Sequence, residues 1–69
     1  MEMTVTYEVN YFDGKKYVSS YFGSFAEARR AYAKTASKYA EVYLVKVTQH
    51  FDDYSFKGYA EDEVLEQTR

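Results

Sequence analysis

Cysteine, proline and tryptophan are all missing from this chain of 69 residues, and glycine occurs only three times. Without cysteine, neither a disulfide framework nor a thiolate zinc site can form. No apolar run approaches the roughly 20 residues that a membrane-spanning helix needs. The N-terminal sequence MEMTVTYEV also lacks the basic and apolar regions of a signal peptide. These absences predict a soluble, cytoplasmic protein with one small domain over residues 1–69.

Aromatic residues are abundant instead, with nine tyrosines and five phenylalanines. The charge is uneven along the chain. Residues 1–50 carry seven basic and five acidic side chains, whereas residues 51–69 carry two basic and six acidic ones. The acidic C-terminal third is therefore either a solvated tail or a surface that suits a basic partner.

Residues 24–39, SFAEARRAYAKTASKY, are the one segment with a clear helical pattern. Ser24 and Glu27 have the spacing of a capping box. Phe25, Tyr32 and Tyr39 recur at helical spacing and predict one buried stripe. The rest of the chain is typical of strands, so those strands must pack against this stripe.

Residues 3–11 alternate between apolar and polar side chains, which predicts a half-buried strand. Asp13-Gly14 follows and favours a two-residue hairpin turn, because such a turn needs positive φ angles. This turn would place Val9 opposite Val18 in a second strand.

The same register predicts which side chains of the second strand face the core. Val5 would lie opposite Phe22, with Met3 also on the core face, while Tyr17 and Tyr21 would face away from the helix. A three-residue loop would reverse these faces. We prefer the first alternative because it buries the more apolar set.

The second half of the chain predicts two more strands. Residues 40–49 form a short apolar run that is typical of an inner strand. Residues 55–60 follow a turn and favour an edge strand, with Gly58 in it. Residues 61–69 are expected to form a short helical turn or a frayed tail.

The predicted order is therefore ββαββ. A right-handed crossover then gives an antiparallel four-stranded sheet of order 2-1-3-4, with one helix packed on one face. The fold class is a two-layer α+β domain.

Candidate catalytic groups are few. His50 is the single histidine and lies near Asp52 and Asp53, but a metal site needs three or four convergent ligands. Nucleophile-elbow, GxGxxG and P-loop sequences are absent. The sequence predicts a protein that is not an enzyme and has no cofactor or metal.

Binding is the class of function that the composition favours. One helix can cover only one face of the sheet, so some of the aromatic residues must lie elsewhere. Tyr17 and Tyr21 are expected on the open face, with Tyr43 or its neighbours from the third strand beside them. Exposed tyrosines are either ordinary cross-strand pairs or anchors for a partner. Self-association with a second copy of the chain would also bury these tyrosines.

A protein partner with a basic surface, such as one that normally holds nucleic acid, fits the acidic balance best. The predicted partner-binding residues are Tyr17, Tyr21, Asp52, Asp53, Tyr54, Phe56, Tyr59, Glu61, Asp62 and Glu63. The alternative surface is the basic side of the helix, with Arg29, Arg30, Lys34 and Lys38.

Single-stranded nucleic acid is the second alternative, because aromatic side chains on an open sheet can stack bases. Two observations argue against it. The basic side chains of the helix project from the layer opposite Tyr17 and Tyr21, and no RNP-type sequence is present.

The DG hairpin, the SFAEARRAYAK helix and the VYLVKV strand together resemble small accessory proteins of bacteriophages. These include anti-CRISPR proteins and other host-defence inhibitors, many of them compact α+β domains without enzymatic activity. The resemblance implies an inhibitor that occludes a partner's surface. It assigns no functional residue.

Overall fold

The structure of this protein is a computed structural model that describes residues 2–51 and 58–68. These residues form one antiparallel sheet and one helix. The sheet order is β2-β1-β3-β4, and every neighbouring pair is antiparallel. The predicted two-layer α+β fold is confirmed. The elements are β1 (Glu2–Phe12), β2 (Tyr17–Phe22), α1 (Phe25–Ala36), β3 (Val42–Phe51) and β4 (Gly58–Gln67). We call the side of the sheet that carries α1 the covered face and the other side the open face.

The hydrophobic core lies between α1 and the two central strands. Val9 of β1 and Val42 and Leu44 of β3 are almost completely buried against Ala28 and Tyr32 of α1. Alternation along each strand directs these three aliphatic side chains to the same face. The central position of β3 agrees with the apolar run that predicted an inner strand.

Helix α1 begins after Ser24, whose hydroxyl oxygen accepts a hydrogen bond from the Glu27 amide at 3.3 Å. The predicted cap is therefore present. The helix ends at Ala36, three residues before the predicted end. The Ser37 hydroxyl donates to the Lys34 carbonyl at 2.6 Å and satisfies one of the last carbonyl groups.

Two aromatic contacts flank the buried helical stripe. Tyr39 follows the helix and stacks on Tyr11 of β1, with 4.5 Å between ring centroids. At the other end, Phe25 meets Tyr7 of β1 edge to face at 5.8 Å. Phe25 was predicted to be buried but remains 47% exposed, because it lies at the first turn.

The hairpin between β1 and β2 has a different register from the predicted one. Val9 lies opposite Ser20, and Tyr11 lies opposite Val18, so Val9 and Val18 are not cross-strand neighbours. Val5 lies beyond the end of β2. The predicted register is wrong by two residues.

Asp13 is the cause of this difference. Its carboxylate accepts hydrogen bonds from the amides of Lys15 (2.8 Å) and Lys16 (2.9 Å), while its own amide donates to the Lys16 carbonyl at 3.1 Å. Gly14 adopts a φ of 104°, as predicted for a turn glycine. The loop therefore spans residues 13–16. A shift of two residues preserves the faces, so Tyr17 and Tyr21 still face away from the helix.

Strand β4 is longer than expected and corrects the predicted helical turn or frayed tail over residues 61–69. Thr68 anchors its end: the Thr68 hydroxyl donates to the Ala40 carbonyl at 2.7 Å and accepts from the Val42 amide at 3.0 Å. Because β3 continues to Phe51, the residues of β4 pair with it from Gly58 to Gln67, except Leu65, where the register shifts between Leu44 and Val45. The first residues of the predicted fourth strand, 55–57, lie outside the described residues.

The helix is much shorter than the sheet that it covers. Twelve helical residues span about 18 Å, whereas the 11 residues of β1 span about 36 Å. Met3 lies on the predicted covered face but is 61% exposed, because the helix does not reach it. Among the described residues, no helix covers this end of the sheet.

Candidate protein-binding site

Tyr17 and Tyr21 project from the open face at the β2 edge, where they are 61% and 70% exposed. Tyr43 of β3 lies on the same face, as predicted. The hydroxyl groups of Tyr17 and Tyr43 donate to one carboxylate oxygen, Oε1 of Glu41, at 2.9 and 2.6 Å. Tyr17 also contacts the Phe12 ring at a centroid distance of 5.1 Å. These contacts hold the Tyr17 side chain in place, although both tyrosines remain exposed.

Glu41 was missing from the predicted site. It precedes β3 by one residue and is two residues from Tyr43, so strand alternation was the available signal. Its hydrogen bond to the neutral phenol raises the pKa of Tyr17 above 10.0.

The second predicted surface lies on β4. We call Tyr59, Glu61, Asp62 and Glu63 the acidic edge, and all four residues are exposed. Glu61 and Glu63 point to the covered side, because their partners Thr48 and Lys46 do, and Asp62 points to the open side. The three carboxylates therefore lie on both sides of one edge strand.

The structure does not bring all the predicted site residues together. In the order β2-β1-β3-β4, Tyr17 and Tyr21 lie on one outer strand and the acidic edge lies on the other. Three strand spacings, about 14 Å, separate the two edge strands. Asp52, Asp53, Tyr54 and Phe56 lie outside the described residues.

Acidic charge dominates the open face. Glu8 and Asp62 lie on it, and Glu41 reaches it through the two tyrosine hydroxyls. Among the described strand residues, no lysine or arginine shares this face; Lys46 lies on the covered side. The described strands therefore supply this face with no basic side chain to bind a phosphate.

The basic side of the helix is partly engaged within the protein. Arg29 forms an ion pair with Glu66 of β4 and lies 5.6 Å from the centroid of the Tyr32 ring. Arg30 donates to the Ala26 carbonyl at 3.4 Å. The exposed side chains of Lys34 and Lys38 complete the alternative surface.

His50 lies within β3, not in a hairpin loop. Its ring stacks on Tyr59 with 4.5 Å between centroids, and its Nε2 atom is 3.7 Å from a carboxylate oxygen of Glu61. The side chain is only 17% exposed. Tyr59 and Glu61 thus contact the ring from the neighbouring strand.

A shallow groove of about 210 Å³ lies beside this ring pair. It is lined by Gln49, His50, Phe51, Gly58, Tyr59 and Ala60. Sites for small molecules usually have about 300–1,000 Å³, so the groove is small for one. In the part of the chain that the structure describes, no group of three or more His, Asp or Glu residues could hold a metal.

The described residues define the class as a two-layer α+β domain with a partly open sheet and an acidic edge strand. No protein-family model matches the chain, and no curated protein or solved structure is significantly similar to it. Helix α1 is too short and too polar to cross a membrane, and no other helix occurs among the described residues.

Proposed function

We propose that this chain is a cytoplasmic, non-enzymatic protein that binds a basic surface of a partner protein through its acidic edge. The observation that supports this proposal is the extension of β4 to Gln67. Because Glu61, Asp62 and Glu63 belong to a hydrogen-bonded strand, their backbone positions are fixed before binding. A frayed tail would instead lose conformational entropy on binding.

The acidic edge combines charge with an aromatic anchor. Its carboxylates speed association with a basic surface, although salt screens them beyond about 8 Å. Tyr59 is 58% exposed and adds apolar area that slows dissociation. Tyr17 and Tyr21 lie at the opposite edge and are not part of this contact.

A surface that otherwise holds nucleic acid is the partner class that this chemistry favours, because carboxylates can occupy the positions of phosphates. Binding there would occlude the partner's own ligand. This mode of action is also what the resemblance to small phage-encoded inhibitors of host defence implies. Single-stranded nucleic acid is less favoured as a ligand, because the open face carries acidic side chains beside its tyrosines.

The test is affinity capture from nuclease-treated bacterial lysate. The bait is the wild-type chain, the E61Q/D62N/E63Q variant or the R30Q/K34Q/K38Q variant, which changes the same number of charges on the helix and just after its end. We expect the wild type and the helix variant to retain the same basic proteins and the acidic-edge variant to lose them. Heparin, a soluble polyanion, should elute the retained proteins.

Identical captures by all three baits would refute the role of the acidic edge. If only the helix variant loses the captured proteins, the contact surface is formed by Arg30, Lys34 and Lys38 instead. Micromolar binding of the purified chain to generic oligonucleotides near physiological salt would favour the nucleic-acid alternative.

A further inference from the structure

The outer side of β4 carries unpaired main-chain groups, and the hydrogen bonds around β3 identify them. The Phe12 amide donates to the Glu41 carbonyl at 3.2 Å, so Glu41 faces β1. The Thr68 amide donates to the Val42 carbonyl at 3.1 Å, so Val42 faces β4. Because this direction alternates along a strand, the even-numbered residues of β3 direct their main-chain groups to β4.

The register then identifies which residues of β4 face outward. The odd-numbered residues from Tyr59 to Glu63 lie opposite even-numbered residues of β3 and face that strand. The N–H and C=O groups of Ala60, Asp62 and Val64 therefore point away from the sheet. Strand β4 is the outer strand of the sheet, and outside the strand ladders no main-chain hydrogen bond between described residues uses these groups. They offer a regular row of donors and acceptors.

We propose that this edge binds the partner as an added strand: an extended, lysine- or arginine-bearing segment pairs with Ala60, Asp62 and Val64. The inference rests on the proposed function and specifies how the basic partner would bind. Main-chain hydrogen bonds provide affinity in this mode, and alternate side chains provide specificity. The carboxylates alone would not define a site; the unpaired main-chain groups do.

Charge decides between a second copy of the chain and a basic partner. Antiparallel pairing of two β4 strands about Asp62 would place Asp62 opposite its copy and Glu61 opposite Glu63. Like charges directly opposite each other destabilise a strand pair. The carboxylates thus oppose self-pairing in this register, yet they stabilise a strand with lysine or arginine at the same positions.

Exposed apolar groups lie at both ends of this edge. Tyr59 is 58% exposed on the covered side, and Val64 is 54% exposed on the open side. An added strand would cover both side chains. The β2 edge is a weaker candidate, because β2 has six residues and β4 has ten.

The experiment titrates the full chain with a heptapeptide of alternating threonine and lysine and follows amide hydrogen exchange by NMR. We expect the amides of Ala60, Asp62 and Val64 to exchange at least about tenfold more slowly in the complex. An equivalent peptide with glutamate for lysine should bind about tenfold more weakly. A lysine peptide with N-methyl groups along the pairing edge should give no protection, because it lacks the donors.

Variants serve as controls in the same titration. E61Q/D62N/E63Q should lose the preference for the lysine peptide, while R30Q/K34Q/K38Q should keep it. Exchange at Leu44, which is fully buried, reports whether each variant is folded. A well-folded acidic-edge variant that still prefers the lysine peptide would overturn the charge argument.

The outcomes separate this inference from the proposed function. Lysine-selective binding without protection of the three amides would reject strand addition, while the acidic edge would remain the contact surface. No binding of the lysine peptide would also reject it. If exchange at the three amides slows as the protein concentration rises without peptide, the occupant of the edge is a second copy of the chain. The proposed function itself fails if capture from lysate is independent of the three carboxylates, which none of these peptide outcomes decides.

Discussion

Arg29 of the helix and Glu66 of the last strand form an ion pair, with 2.6 Å between Nε and Oε2. The two atoms are close, but their alignment is not that of a hydrogen bond. The backbone of α1 packs on β1, β2 and β3, so this pair links the helix to the β4 edge through side chains. The pair therefore connects the core to the strand that carries the acidic edge.

The first prediction concerns the strength of this link. Both side chains are more than a third exposed, at 44% and 38%, so solvent weakens the pair. A double-mutant cycle with Arg29→Gln and Glu66→Gln should give a coupling free energy of about 0.2–1 kcal/mol, decreasing with salt. The cycle is measured by denaturant unfolding. A coupling that does not change with salt would show that the pair is not electrostatic in origin.

The second prediction concerns Gly58, where β4 passes close to β3. A Cβ atom there would lie 2.9 Å from the main-chain oxygen of His50, so either strand would have to move. Gly58→Ala should destabilise the protein by about 1–3 kcal/mol. Gly23→Ala is the matched control, since its Cβ would meet nothing within 4 Å and its φ is not left-handed. Equal unfolding free energies for the two variants would contradict this prediction.

The third prediction concerns pH and the hairpin loop. The amides of Lys16 and Lys15 donate to the Asp13 carboxylate and hold its pKa below 3.8. The charged form is favoured in the folded state, so its contribution is present above pH 3.8 and disappears as the pH falls through the lowered pKa. NMR titration should show Asp13 titrating below its ordinary range. Asp13→Ala should lower the melting temperature at pH 7, and its difference from the wild type should become smaller as the pH falls through the folded pKa.

The fourth prediction concerns Tyr17 and Glu41. The hydrogen bond to Glu41 favours the neutral phenol, so the pKa of Tyr17 should exceed 10.0 in an NMR titration. Because the folded pKa is raised, the contribution to stability is complete below pH 10.0 and is lost as the pH rises through the folded pKa. Glu41→Gln should bring the pKa of Tyr17 back toward its ordinary value. An unchanged Tyr17 titration in that variant would rule out Glu41 as the cause.

Patterns that depend on neighbouring residues predicted the fold well. Alternation in residues 3–11 predicted β1, since burial of one face repeats every second residue. Ser24 predicted the helix start because its hydroxyl oxygen binds an amide three residues later. Together with the apolar run of β3, these patterns were enough for the sheet order.

Contacts that depend on particular side chains were not predictable in the same way. The hairpin register followed from the two amides that bind the Asp13 carboxylate, whereas the Asp-Gly pair alone favours a shorter turn. In β4, Glu61, Asp62 and Glu63 are all charged, so the sequence shows no alternation there. The edge strand became apparent only from its pairing with β3.

Because α1 is shorter than the sheet, residues under the helix and residues at the uncovered end differ in how well they should tolerate substitution. Val9 and Leu44 lie under the helix in one buried cluster with Ala28 of α1, where a change of one methyl group affects packing on several sides. The acidic edge lies toward the other end, where side chains on both faces meet only solvent or their strand neighbours. Substitutions at that end should alter partner choice with little loss of folded protein. Under the proposed function, point mutations at the acidic edge would therefore change the target while the core stays the same.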